Sequence, residues 1–213
     1  MSGRLQNKIA IITGSSSGIG RAIALAFASE GATIVCSDLR EEARPELATD
    51  ASTLTTTQEL AKLGANAIFV KCDTASSSEI QALIQQAVEA FGRVDIMVNN
   101  AGVSIEAEGH GEKPIWEYDD AVFETTMQVN IKGVFLGTKY ASKQMIAQDA
   151  GPSGDKGWII NLSSIFGLVG QSGVCKFSSP LLFLWVKEGK ERKKKRIQEP
   201  NFLSLLHSWL RGL

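Results

Sequence analysis

The sequence predicts a doubly wound α/β fold, a parallel sheet with helices on both faces. Two observations predict it. Short apolar segments rich in β-branched residues alternate with longer stretches of helical period, and the first segment runs straight into a glycine-rich turn that opens a helix. Strand, helix and strand repeated in this way require parallel pairing, because the crossover helices must cover both faces of the sheet. With 213 residues, 44% of them hydrophobic, the chain suits one globular domain with a sizeable core.

The first strand is "KIAIITG" at 8–14, and "TGSSSGIG" at 13–20 turns it into the helical stretch "RAIALAFASEG", where Gly31 stands at the C-terminal cap. The second strand is "ATIVCSDL" at 32–39 and the third "AIFVKCD" at 67–73. Next, "SSEIQALIQQAVEAFG" puts Ile80, Leu83, Ile84, Ala87, Val88 and Phe91 on one helical stripe, with serine and glutamate opening the helix. "DIMVNNAG" at 95–102 and "WIINLSS" at 158–164 are the fourth and fifth strands. Beyond residue 175 no helix or strand period is legible. The sheet is therefore expected to be incomplete on its C-terminal side, ending at "WIINLSS" as an unprotected edge.

The glycine turn is the first candidate site. Gly14, Gly18 and Gly20 let a backbone approach a pyrophosphate, the helix N-terminus offers free N–H groups, and Ser15, Ser16 and Ser17 add hydroxyls. Asp38, followed by Leu39, stands eighteen residues beyond Gly20, near the distance at which a carboxylate reaches the ribose hydroxyls of an adenosine. A purely structural turn is the plainer alternative, and Asp38 weighs against it. Ile19 belongs to the same candidate surface. The charge of Asp38 repels a 2′-phosphate, and Ser17 stands where a basic residue could pair with one, so NAD is expected over NADP. Arg40 keeps NADP open as the second choice.

Charge and cysteine content narrow the classes further. The formal net charge is −1, yet residues 176–213 hold nine Lys and Arg against three Glu, so an acidic domain at 1–175 carries a basic tail. Cys36, Cys72 and Cys175 fall in no metal-ligand spacing; reduced thiols in a reducing compartment and no metal are expected. "PLLFLWV" at 180–186 is far shorter than the ~20 residues that span a bilayer, and the N-terminus has no signal-peptide pattern. A cytoplasmic protein without membrane contact is the simplest expectation.

Five motifs taken in order resemble the short-chain dehydrogenase/reductase family: "TGSSSGIG", Asp73 in "CDT", "NNAG" at 99–102, "VNIKG" at 129–133 and "INLSS" at 160–164. The resemblance covers roughly residues 5–175. It implies a Rossmann-like sheet and an NAD(P)-dependent oxidoreductase acting on a small alcohol or ketone. It further implies that Asp73 lies against the adenine and that Asn100, Ala101 and Gly102 support the nicotinamide ribose. Asn130 and Ser164 would belong to a catalytic tetrad. Taken singly, Asn99 and Asn100 could make Asx turns, and Ser163 and Ser164 could simply end a strand. Asn130 reads as a buried amide among Met127, Ile131 and Val134 on a helix, and a buried amide requires partners.

The resemblance stops short of the other two tetrad members, a tyrosine and, four residues later, a lysine. Thirteen residues beyond Ser164 stands Phe177, and four further on Leu181. Pro180 interrupts the helix on which the pair would share a face. "YASK" at 140–143 resembles the missing segment, but it is one residue short and lies upstream of Ser164, so Tyr140 reads as a decoy. The chain is thus expected to be catalytically impaired. A non-catalytic dinucleotide-binding or interaction protein is the alternative, and a polyanion-binding role for "KEGKERKKKR" a weaker one, since the run lacks interleaved aromatics. Cys175-Lys176-Phe177 can be encoded TGT-AAG-TTY, which contains GTAAGT, a typical intron start, so residues 176–213 read as an aberrant tail. A family-type homo-oligomer is not expected of such a chain.

Overall fold

The structure, a computed structural model, describes residues 3–43, 54–104, 115–164 and 183–187. Its strands are β1 (Ile9–Thr13), β2 (Thr33–Asp38), β3 (Ala67–Lys71), β4 (Ile96–Asn99), β5 (Asp155–Asn161) and β6 (Phe183–Lys187). The helices are α1 (Gly18–Ser29), α2 (Thr56–Lys62), α3 (Ser77–Phe91), α4 (Asp120–Met127) and α5 (Val134–Ala147), with a π-helical turn at Gln128–Gly133 joining the last two. The strand order is β3-β2-β1-β4-β5-β6, and β1 to β5 run parallel. This is the expected Rossmann-like sheet. The chain reverses its direction of travel across the sheet between β1 and β4, so a crevice opens there, beyond the C-terminal ends of the strands.

Strand periodicity divides the core in two. Ile9 and Ile11 of β1 face α3 and α5 with Val35, Met97 and Ile159, while Ala10 and Ile12 face α1 and α2 with Ile34, Cys36, Ile96 and Val98. Burying an isoleucine such as Ile11 completely is worth about 1.5–3 kcal/mol. The stripe on α3 lies where its spacing put it: Ile80, Leu83, Ile84 and Ala87 are buried, and Val88 and Phe91 pack beside them. Ser76 caps that helix by accepting from the Glu79 N–H, and Gly92 ends it in the left-handed region at φ 85°. Gly31, at φ 90°, closes α1 in the same way. Cys36 and Cys72 belong to opposite faces of the sheet, and both are free thiols. Burial pushes each up to about 12.

One expectation is corrected at the sheet's edge. β5 is not its last strand: β6 pairs antiparallel with it, Trp185 opposite Trp158 and Leu184 opposite Ile159, with a register shift between Asp155 and Gly157. An antiparallel neighbour needs only a chain reversal, not the crossover helix a parallel one requires. Phe183, Trp185 and Val186 also supply the aromatic and β-branched content that strands favour. The period was too short to read in a segment that is apolar throughout.

Candidate functional site

The crevice is built first by the turn after β1. Gly18 takes φ 55°, and a Cβ there would meet nothing within 4 Å, so this glycine is required by backbone conformation and borders open space. Gly20 is required by closeness instead. A Cβ on it would stand 2.1 Å from the Gly14 carbonyl oxygen and 2.5 Å from Asn100 Nδ2. The N-cap of α1, Ser17, makes no side-chain capping bond, whereas Thr55, Ser76 and Asp119 cap α2, α3 and α4. No side-chain cap therefore occupies the first N–H groups of α1. Ile19 stands beside them, 66% exposed.

Asp38, at the end of β2, is held from the glycine turn. Its Oδ2 accepts from the Ser16 N–H at 3.1 Å and its Oδ1 from the Leu39 N–H at 2.8 Å. The Ser16 hydroxyl donates to the Arg40 carbonyl at 2.6 Å. The carboxylate is thus oriented but only half-buried, with Leu39 exposed beside it. Ser15, fully buried, binds β2 through three hydrogen bonds with Ser37.

The end of β4 is joined to the same turn by Thr13, which the sequence reading passed over. Its Oγ1 accepts from the N–H groups of Asn100 and Ala101, both at 3.0 Å, and donates to the Val98 carbonyl at 3.2 Å. Asn100 Nδ2 donates back to the Thr13 carbonyl at 2.8 Å. Asn99 points into the interior, donating to Asn161 Oδ1 at 2.7 Å. Gly137 makes room for it, since a Cβ there would stand 1.9 Å from Asn99 Oδ1. Both asparagines therefore bridge strands rather than make local Asx turns.

Asn130 departs from its expected setting. It lies in the π-helical turn and is half-buried, not buried on an α-helix. The extra residue of a π turn reorients its side chain toward the crevice loop, where Asn130 Oδ1 accepts from the Val103 N–H at 2.8 Å and Nδ2 donates to the Val103 carbonyl at 2.9 Å. Gly102 lies alongside, its Cβ position 3.3 Å from Asn130 Oδ1. Gly133 closes the turn against Thr74, with 2.9 Å between its Cβ position and Thr74 Oγ1. Asp73 is also engaged: its Oδ1 accepts from the Ala75 N–H at 2.9 Å, and its N–H donates to Glu79 at 2.8 Å.

Ser164 follows β5 and is exposed; Phe177 and Leu181 lie outside the described residues. Tyr140 is turned toward α3, its hydroxyl 2.7 Å from the Ser77 hydroxyl and its ring 5.0 Å from the Lys139 ammonium. Among the described residues no cluster of three His, Cys, Asp or Glu could hold a metal ion, and no helix is long and apolar enough to cross a membrane.

A family model for short chain dehydrogenases matches residues 8–180. A 3beta-hydroxysteroid dehydrogenase 2 of Eggerthella lenta is 35% identical over 175 residues, covering 82% of this chain and 60% of that protein. Tropinone reductase-like 2 of Erythroxylum coca is 36% identical over 188 residues, 84% of this chain and 61% of that one. A solved short chain dehydrogenase/reductase from Burkholderia phymatum, in complex with NAD, superposes with a TM-score of 0.65 at 32% identity, covering 79% of this chain and 53% of that one. The chain thus spans about 60% of the length of the curated relatives it matches.

Proposed function

Because the chain belongs to the short chain dehydrogenase family, we propose that it is an oxidoreductase-type chain whose crevice binds NAD. The uncapped N-terminus of α1 beside the open space at Gly18 carries this reading. A pyrophosphate at that point meets free N–H groups and the positive end of a helix dipole, and no side chain has to move aside. The neighbouring residues fit the same group. Asp38, aimed by Ser16, accepts from both ribose hydroxyls and repels a 2′-phosphate. Ile19 and Leu39 supply apolar cover, and Asp73 flanks the adenine. Asn100, Ala101 and Gly102 support the nicotinamide ribose, while Arg40 makes NADP the second cofactor. Reduced Cys36 and Cys72 suit a cytoplasmic setting.

When bound, the nicotinamide supplies or takes the hydride in an alcohol–carbonyl interconversion. The chain's own tasks are to hold the substrate oxygen, through Ser164, to keep the crevice loop in place, through Asn130, and to move a proton. A tyrosine and lysine would perform the last task where Phe177 and Leu181 stand. A phenyl ring has no proton to exchange and an isobutyl group no charge, so proton transfer is slowed by about 10² to 10⁴-fold. Those two residues favour a second reading, a non-catalytic dinucleotide-binding protein. Calorimetric titration of the full chain with NAD and NADP tests the proposal. NAD should bind more tightly and Asp38→Ala should narrow the difference; equal or reversed wild-type affinities would count against it.

A further inference from the structure

The peptide unit between Ser15 and Ser16 is gripped at both ends. Its carbonyl accepts from Thr56 Oγ1 at 2.7 Å, and its N–H donates to Asp38 Oδ2 at 3.1 Å. A peptide unit is planar and rigid, so turning one end turns the other. Thr56 is the first residue of α2 and only 2% exposed, so its hydroxyl makes this bond without competition from water.

The start of α2 is itself fastened from two sides. Buried Arg21, in the first turn of α1, donates to the Leu54 carbonyl at 2.9 Å and stands 3.7 Å from Glu59. Glu41, three residues beyond Asp38, accepts from the hydroxyls of Thr55 and Thr57. Thr56 is therefore presented by a firmly seated helical turn.

We propose that Thr56 is a positioning residue for cofactor choice: by holding the Ser15 carbonyl it sets the angle at which the Ser16 N–H aims the Asp38 carboxylate, and with it the preference for a free 2′-hydroxyl. The inference rests on the dinucleotide reading above. Hydrogen bonds in line across one peptide polarise each other, so loss of the Thr56 donor also weakens the bond to Asp38.

The experiment is calorimetry of the full chain with NAD and with NADP, for wild type, Thr56→Val and Thr56→Ser. Valine matches the shape of threonine without its donor. Its NAD affinity should fall by about threefold to tenfold, the scale of one net hydrogen bond, while NADP affinity holds, so that the ratio narrows; serine should restore the ratio. A parallel loss of both affinities, or no change in either, would make Thr56 merely structural and overturn the assignment. If Thr56→Val does not fold, Arg21→Lys replaces it, keeping the charge while loosening the hold on Leu54; narrowing supports the assignment and an unchanged ratio overturns it. A wild-type chain that binds neither dinucleotide overturns the dinucleotide reading and this assignment together, whereas an unchanged ratio in a chain that binds NAD overturns the assignment alone.

Discussion

Asn130 holds Val103 by both edges of its backbone, accepting from its N–H at 2.8 Å and donating to its carbonyl at 2.9 Å. A primary amide carries a donor and an acceptor side by side, so one side chain pairs with both polar backbone groups of a single residue. Asn130→Asp keeps one bond and sets a carboxylate oxygen against the Val103 carbonyl; Asn130→Leu keeps neither. Both should lower stability by about 1–3 kcal/mol. Urea unfolding is the measurement, and an unchanged midpoint in both variants would show that the crevice loop does not depend on this pairing.

The glycines of the turn should respond differently to the same methyl group. Gly18→Ala meets no atom, so its cost is that of placing alanine in the left-handed region, about 1–2 kcal/mol. Gly20→Ala drives a Cβ to within 2.1 Å of the Gly14 carbonyl oxygen, which cannot yield without opening the turn. Unfolding midpoints should therefore rank wild type, Gly18→Ala and Gly20→Ala in descending order. A reversed order would contradict the steric assignment.

Tyr140 should titrate below the ordinary phenol range. The hydrogen bond from Ser77 lowers it most; burial opposes this, and the charges of Lys139 and Lys143 add to the lowering. In a Tyr118→Phe background, absorbance at the phenolate band reads Tyr140 among the chain's two tyrosines. Ser77→Ala should move that titration to higher pH.

Stability should be flat at neutral pH and fall on both sides. On the alkaline side, the thiols of Cys36 and Cys72 are raised from 9.0 to about 12 when folded, so their contribution is complete below 9.0 and lost as pH climbs towards 12. On the acid side, Arg4 lowers Glu30 from 4.5 to about 2 through its hydrogen bonds, so that contribution is present above 4.5 and lost as pH falls towards 2. Glu30 is solvent-screened, which makes the acid arm shallow. Denaturation across pH checks both arms, and Glu30→Gln should flatten the acid one.

Turnover should stay near background with secondary alcohols and NAD, and Tyr140→Phe should leave that background unchanged, since the Tyr140 hydroxyl is committed to Ser77 on α3. Robust NADH formation that Tyr140→Phe abolishes would give this tyrosine the proton-transfer role instead.

What could be read without coordinates was written in short-range periods. The apolar stripe of α3 repeats every three or four residues, the strands are compact β-branched runs, and "TGSSSGIG" announces a strand, a turn and a helix within one stretch. The family motifs belong here too, because each is a contiguous run. Even the placement of Asp38 was legible, since an 18-residue offset is what one helix and one strand consume.

The sequence by itself thus determined the order of the five parallel strands, the glycine turn that opens α1 and the apolar stripe of α3, since each is encoded by neighbours along the chain. Tertiary structure alone decided the partners of the crevice residues. Thr13 meets Asn100 and Ala101 across a sequence separation of 87 and 88 residues, and Thr56 meets Ser15 across 41. The π turn that aims Asn130, and the antiparallel seat of β6, were settled the same way. The physical reason is common to all four. A hydrogen bond or a strand pairing goes to whichever complementary group the packed core leaves within about 3 Å, and which group that is exists only once the layers have closed.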